Sequence, residues 1–151
     1  MQKKDLSALQ KKHTLPSFGE LDEEFEISSI DAKDHLLRAI RRKVEERLDH
    51  YAKIVEELLQ CETTLVNLHE CQDLDEAMKE RFYELYRTFM GLVRESARIS
   101  IRNDEKETAA YITKATKFWK AQKEKLEEVL LHMEHAWSKR RSLAEKFEYL
   151  G

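Results

Sequence analysis

The stretch that decides the fold runs from Leu37 to Leu68, LRAIRRKVEERLDHYAKIVEELLQCETTLVNL. Its apolar residues are Leu37, Ile40, Val44, Leu48, Tyr51, Val55, Leu58, Cys61, Leu65 and Leu68, at steps of three and four. Steps of three and four keep returning to one side of an α-helix. Arg41, Arg42, Glu45, Glu46, Asp49 and Glu56 fall on the other side. The pattern predicts a long amphipathic helix over about 29–70, with Ser28 and Asp31 at capping-box spacing before it.

Two more stripes follow. Met78, Phe82, Leu85, Phe89, Leu92, Ser96 and Ile99 predict a helix over about 74–102, with Asp73 and Glu76 at cap spacing. Gly91 interrupts it, and close approach of a neighbouring helix is the expected reason. Tyr111, Ala115, Phe118, Gln122, Leu126, Val129 with Leu130, Met133, Trp137, Leu143 with Ala144, Phe147 and Leu150 predict a third helix over about 104–150. Asp104 and Glu107 cap it. Continuing the second stripe would put Asn103 and Lys106 on the seam, which favours a turn over one continuous rod.

Ahead of these helices stands 1–28. Pro16 and Gly19 break it, and an acidic run with Leu21 and Phe25 follows. It is expected to be a flexible segment, or one that docks its aromatics on the bundle or a partner. Residues 29–151 are expected to form an all-α antiparallel bundle of three long helices.

Composition agrees: 38% of residues are charged, with three Gly and one Pro in 151. Such a chain has few turn residues and many polar helix faces. The net charge of −3 gives no global attraction for nucleic acid or anionic membrane. Two cysteines, Cys61 and Cys71, make no disulfide framework and read as reduced thiols. No secretory leader and no window of ~20 apolar residues is apparent, so a cytoplasmic location is expected.

At ~1.5 Å per residue the third helix would reach ~70 Å and the second ~45 Å. Apolar residues on the overhang, Trp137, Leu143, Phe147 and Leu150, then need a cover. A homodimer supplies one, and these residues are the expected oligomer or partner interface. The alternative cover is 1–28 folded back.

Candidate chemistry is sparse. Glu128, His132 and His135 share a helix face at metal-ligand spacing, with Glu46 and His50 as distant helpers. They flank the apolar stripe, so a solvated face is the expected reading, and no cofactor is expected. Arg41, Arg42, Lys117 and Lys120 belong to basic runs that could meet a membrane surface or nucleic acid. Interleaved glutamates favour a solvated, ion-paired face instead. Cys71 lies two positions from His69 with no orienting acid, and no glycine-rich phosphate loop exists. The expected function is a non-enzymatic interaction or scaffold module that works through self-association and a protein partner. A basic membrane or nucleic-acid binder and a metal-containing bundle are the alternatives.

Overall fold

Glu26, His35 and Asn103 hold left-handed backbone, with φ of 56°, 57° and 53°. That conformation crowds any residue with a Cβ and ends regular helix. Each of the three stands at a helix boundary. The computed structural model describes residues 1–138. Among them are α1 (Lys3–Lys12), α2 (Phe18–Phe25), α3 (Leu36–Leu59), α4 (Leu65–Cys71), α5 (Glu76–Arg102) and α6 (Glu105–Ser138), with a 3-10 turn at Ile27–Ser29 and no strand. The chain is therefore an all-α bundle with three long helices. No described helix is long and apolar enough to cross a membrane.

The chain forms two compact units. Unit 1 is Met1–His50 with Met90–Ala121, and unit 2 is Tyr51–Phe89 with Gln122–Gly151. Each of α3, α5 and α6 gives one part of its length to each unit.

In unit 1 the first thirty residues contain α1, α2 and the 3-10 turn. Gln2 N–H donates to Asp5 Oδ2 at 2.8 Å to start α1, and Lys11 and Lys12 end it, where cations suit the helix dipole. Ser17 caps α2 by accepting from Glu20 N–H at 3.2 Å. Leu6, Leu21, Phe25 and Ile27 are buried with Leu37, Ile40, Val44, Leu48, Ile99 and Ile112. Each such burial contributes about 1.5–3 kcal/mol. That explains why a segment rich in Glu holds its place.

The helix expected over 29–70 begins instead at Leu36 and stops at Leu59. Ser28 and Ser29 form the 3-10 turn, and Ser28 N–H donates to Asp22 Oδ1 at 2.7 Å rather than opening α3. Thr64 caps a new helix, α4, by accepting from Asn67 N–H at 3.1 Å. Thr63 bonds Gln60 O and accepts from Asn67 Nδ2. Two threonine hydroxyls thus take over backbone groups that a continuous helix would have satisfied itself.

The cap of α5 is Asp75, whose Oδ1 accepts from Met78 N–H at 2.8 Å, and Asp73 does not fill that role. In unit 1 the link from α5 to α6 is tight: Asn103 N–H donates to Ile99 O at 2.8 Å, and Glu107 N–H to Asp104 Oδ2 at 2.9 Å. Arg98–Glu107, Lys114–Glu95 and Tyr111–Leu92 pair the two helices in opposite order, so they run antiparallel there. A Cβ at Gly91 would meet nothing within 4 Å. Close helix approach is therefore not the reason for that glycine.

Candidate functional site

The α4 helix buries polar groups beside Leu68 and Cys71 and turns two aliphatic side chains to water. Asn67, His69, Glu70 and Gln72 are buried, while Leu65 and Val66 are 55% and 48% exposed. Polar groups are buried only when hydrogen bonds replace those lost to water, and α6 supplies partners in unit 2. His69 Nε2 donates to Ala136 O at 2.5 Å, which puts the ring proton on Nε2, since a carbonyl only accepts. Its ring packs on Trp137 with centroids 4.2 Å apart. Trp137 Nε1 donates to Glu70 Oε2 at 3.0 Å. Together these contacts pin the buried side of α4, which also carries Leu68, and leave Leu65 and Val66 outward.

Trp137 has a double character. Its nitrogen and one ring face serve α4, yet the residue is 54% exposed. Leu130 and Leu131, two turns earlier on α6, are 36% and 50% exposed. Leu143, Phe147 and Leu150, also expected at the interface, lie outside the described residues. Unit 2 carries six of the seven large apolar residues left exposed among the described residues, Tyr83 being the sixth and Ile101 of unit 1 the exception. Periodicity had placed Leu65, Leu130 and Trp137 on buried stripes. The break at 60–64 turns Leu65 outward, a change announced only by Thr63 and Thr64.

Both thiols of unit 2 use one carbonyl. Cys61 Sγ and Cys71 Sγ lie 3.5 and 3.0 Å from Leu58 O. Cys71 is buried, whereas Cys61, which falls on the apolar stripe, is only partly buried. Burial, then the neighbouring Cys61, pushes the Cys71 thiol far above its ordinary range. With its proton on Nε2, His69 has its lone pair on Nδ1, and that nitrogen has no hydrogen-bond partner, whereas the Cys71 thiol lies against Leu58 O.

No three His, Cys, Asp or Glu among the described residues are placed to hold a metal. Glu128 pairs with Arg81 at 2.8 Å, and His132 lies edge-on to Phe82 with centroids 6.4 Å apart. His135 is exposed. Glu46 and His50 line a groove of unit 1 beside Lys43 and Arg47.

The four basic candidates do not form one surface. Arg41 is buried, and its Nη1 donates to Glu45 Oε2 at 3.1 Å and Ser96 Oγ at 2.7 Å. Ser96 Oγ donates in turn to Glu45 at 2.6 Å, closing a three-way network. Arg42 lines the neighbouring groove among Glu45, Glu46 and Asp49, whose carboxylates cancel its field. Lys120 pairs with Glu20 of α2 at 2.9 Å. Lys117 alone lines a basic groove, with Lys12, Lys106 and Lys114, that sequence reasoning did not assemble. The signal was present: 106, 109–110, 113–114 and 117 recur along one side of α6 without an acidic residue. Compared with protein-family models, curated proteins and solved structures, the chain matches none.

Proposed function

We propose that this chain is a non-enzymatic helical interaction module that associates with a second copy of itself and, through the same kind of surface, with a protein partner. The carrying observation is helix α4, with Leu65 and Val66 outward, accompanied by Leu130, Leu131 and Trp137 of α6. A short helix that buries three polar residues and exposes two aliphatic ones favours contact with another apolar surface.

Magnitudes set the expected strength. Five side chains, each about half exposed, would contribute roughly 1 kcal/mol apiece on full burial, or about 10 kcal/mol for a symmetric pair. Loss of translational and rotational freedom costs ~4–15 kcal/mol. The balance gives an association that depends on concentration in the working range.

Light scattering on a sizing column across a concentration series tests this. A mass near twice the 18.0 kDa chain at the high end is expected. Leu65→Glu with Leu131→Glu, both already facing water, should return the mass to one chain with the helical circular-dichroism signal unchanged. A single-chain mass at every concentration would remove self-association, and an assembly that survives both substitutions would place its interface elsewhere.

A further inference from the structure

In unit 1 the C-terminal end of α1 and the first half of α6 enclose a groove of about 640 Å³. Thr113 Oγ1 fixes its wall by donating to Thr14 O at 2.9 Å. Ala109 and Ala110 give it an apolar floor, and Lys12, Lys106, Lys114 and Lys117 stand around it. No acidic residue lines it, although the chain has 30 acidic residues against 27 basic ones. Lys114 pairs with Glu95, but among the described residues Lys12, Lys106 and Lys117 have no carboxylate within ion-pair distance. Like charges this close repel one another and cost stability unless something offsets them.

The same part of α6 already shows what it accepts on another face. There α2, an acidic amphipathic helix, sets Glu20 against Lys120 at 2.9 Å. Its Glu24 accepts from Trp119 Nε1 at 2.7 Å, and its Phe25 packs on the Trp119 ring. We infer that the lysine groove is a docking site for an acidic amphipathic segment of a partner protein, with small apolar side chains on Ala109 and Ala110 and carboxylates on the surrounding lysines. The shape and lining favour this occupant over phosphates. Single-stranded nucleic acid is held by stacking on successive aromatics, and the groove offers one imidazole, His13, which faces Glu105 at 3.7 Å, and no Phe, Tyr or Trp. Duplex DNA takes a protruding element into its own groove, and a membrane presents a broad plane. A concave slot with an apolar floor complements neither. The groove's role does not depend on self-association through α4.

The test is fluorescence anisotropy of a labelled, synthetic helical peptide with Glu and Ala on one side and Leu on the other, titrated with the full chain. A short DNA duplex and phosphatidylserine vesicles are titrated in parallel. The peptide should bind at low salt and weaken about tenfold at physiological salt, as exposed ion pairs do. Lys106→Glu with Lys117→Glu should abolish binding, and the neutral Lys106→Gln with Lys117→Gln should weaken it about tenfold. Lys33→Glu with Lys125→Glu makes the same change in net charge elsewhere and should leave binding intact. All variants should keep the wild-type solution mass and helical signal. No peptide binding at low salt, or equal loss in the control pair, would overturn the proposal. Tighter binding of duplex or vesicles with the same dependence on Lys106 and Lys117 would overturn it in favour of a phosphate site.

Discussion

The indole nitrogen of Trp119 donates to Glu24 Oε2 at 2.7 Å, joining residues 95 positions apart in the sequence. Both residues are buried, and Phe25 and the Arg47 guanidinium, 6.0 Å from the indole centroid, enclose the same ring. An acidic segment that would stay in water alone is thereby held in unit 1 by a charge-assisted bond and two aromatic contacts. Trp119→Phe keeps most of the apolar bulk and removes the donor. It should lower unfolding stability by roughly 2 kcal/mol, the range for hydrogen bonds to charged groups. Urea denaturation measures this, and a loss below a few tenths would mean the bond contributes nothing net.

Arg41, Glu45 and Ser96 are expected to act as a unit. Arg41→Ala strands Glu45 and Ser96 and should cost about 2–4 kcal/mol, less than a fully buried pair because the Glu45 side chain is 29% exposed. Adding Ser96→Ala should cost less than the sum of the two single changes, with a coupling of about 1 kcal/mol or more. Strict additivity in that double-mutant cycle would show that the three groups do not cooperate.

Alkaline pH should weaken the fold. Burial raises both Cys71 and Tyr111 far above their ordinary values of 9.0 and 10.0. The folded chain then keeps both protons while the unfolded chain releases them. Their contribution is complete below pH 9 and is lost as pH rises past each ordinary value, at about 1.4 kcal/mol per pH unit for each group. Tyr111→Phe should reduce the slope above pH 10 and also remove the bond from its hydroxyl to Leu92 O. An unchanged slope would remove Tyr111 from the account.

Thiol labelling gives an independent check on the same region. Cys61 should react with a disulfide reagent near neutral pH, whereas Cys71, buried and held protonated, should react only as unit 2 opens. Two equal fast phases would contradict that burial.

Gly91 should be replaceable. It lies inside α5 with nothing within 4 Å of a new Cβ, so Gly91→Ala should raise stability by about 0.5–1 kcal/mol. Asn103→Ala should go the other way by about 1 kcal/mol, because its backbone is left-handed and its Nδ2 bonds Ser100 O. Thermal melts of the two variants should move in opposite directions.

Local spacing carried much of this architecture. Leu37, Ile40, Val44, Leu48, Val55 and Leu58 are buried on one stripe, and Asp104 with Glu107 marks the start of α6. What spacing misses is anything decided by a distant partner. Arg41 reads as a solvated cation until Ser96, 55 residues on, turns out to bond it. Glu24 reads as part of a polar tail until Trp119 meets it. The outward turn of Leu65 follows from Thr63 and Thr64, whose hydroxyls break a stripe that apolar counting alone would continue. The lysine groove needs α1 and α6 side by side, and no single-helix pattern contains that.

Helix α4 also bears on timing. Seven residues make about two turns, too few for a helix to persist by itself. Its order rests on the bonds from His69 and Trp137, and its capping Thr64 is exposed. Its backbone amides should therefore exchange with solvent deuterium sooner than those in the middle of α3 or α5. A brief excursion of α4 would bring Asn67, Leu68, His69, Glu70 and Cys71 into water together. The segment thus has two wardrobes, an oily one when closed and a polar, thiol-bearing one when open, and only the second is reached by breaking bonds.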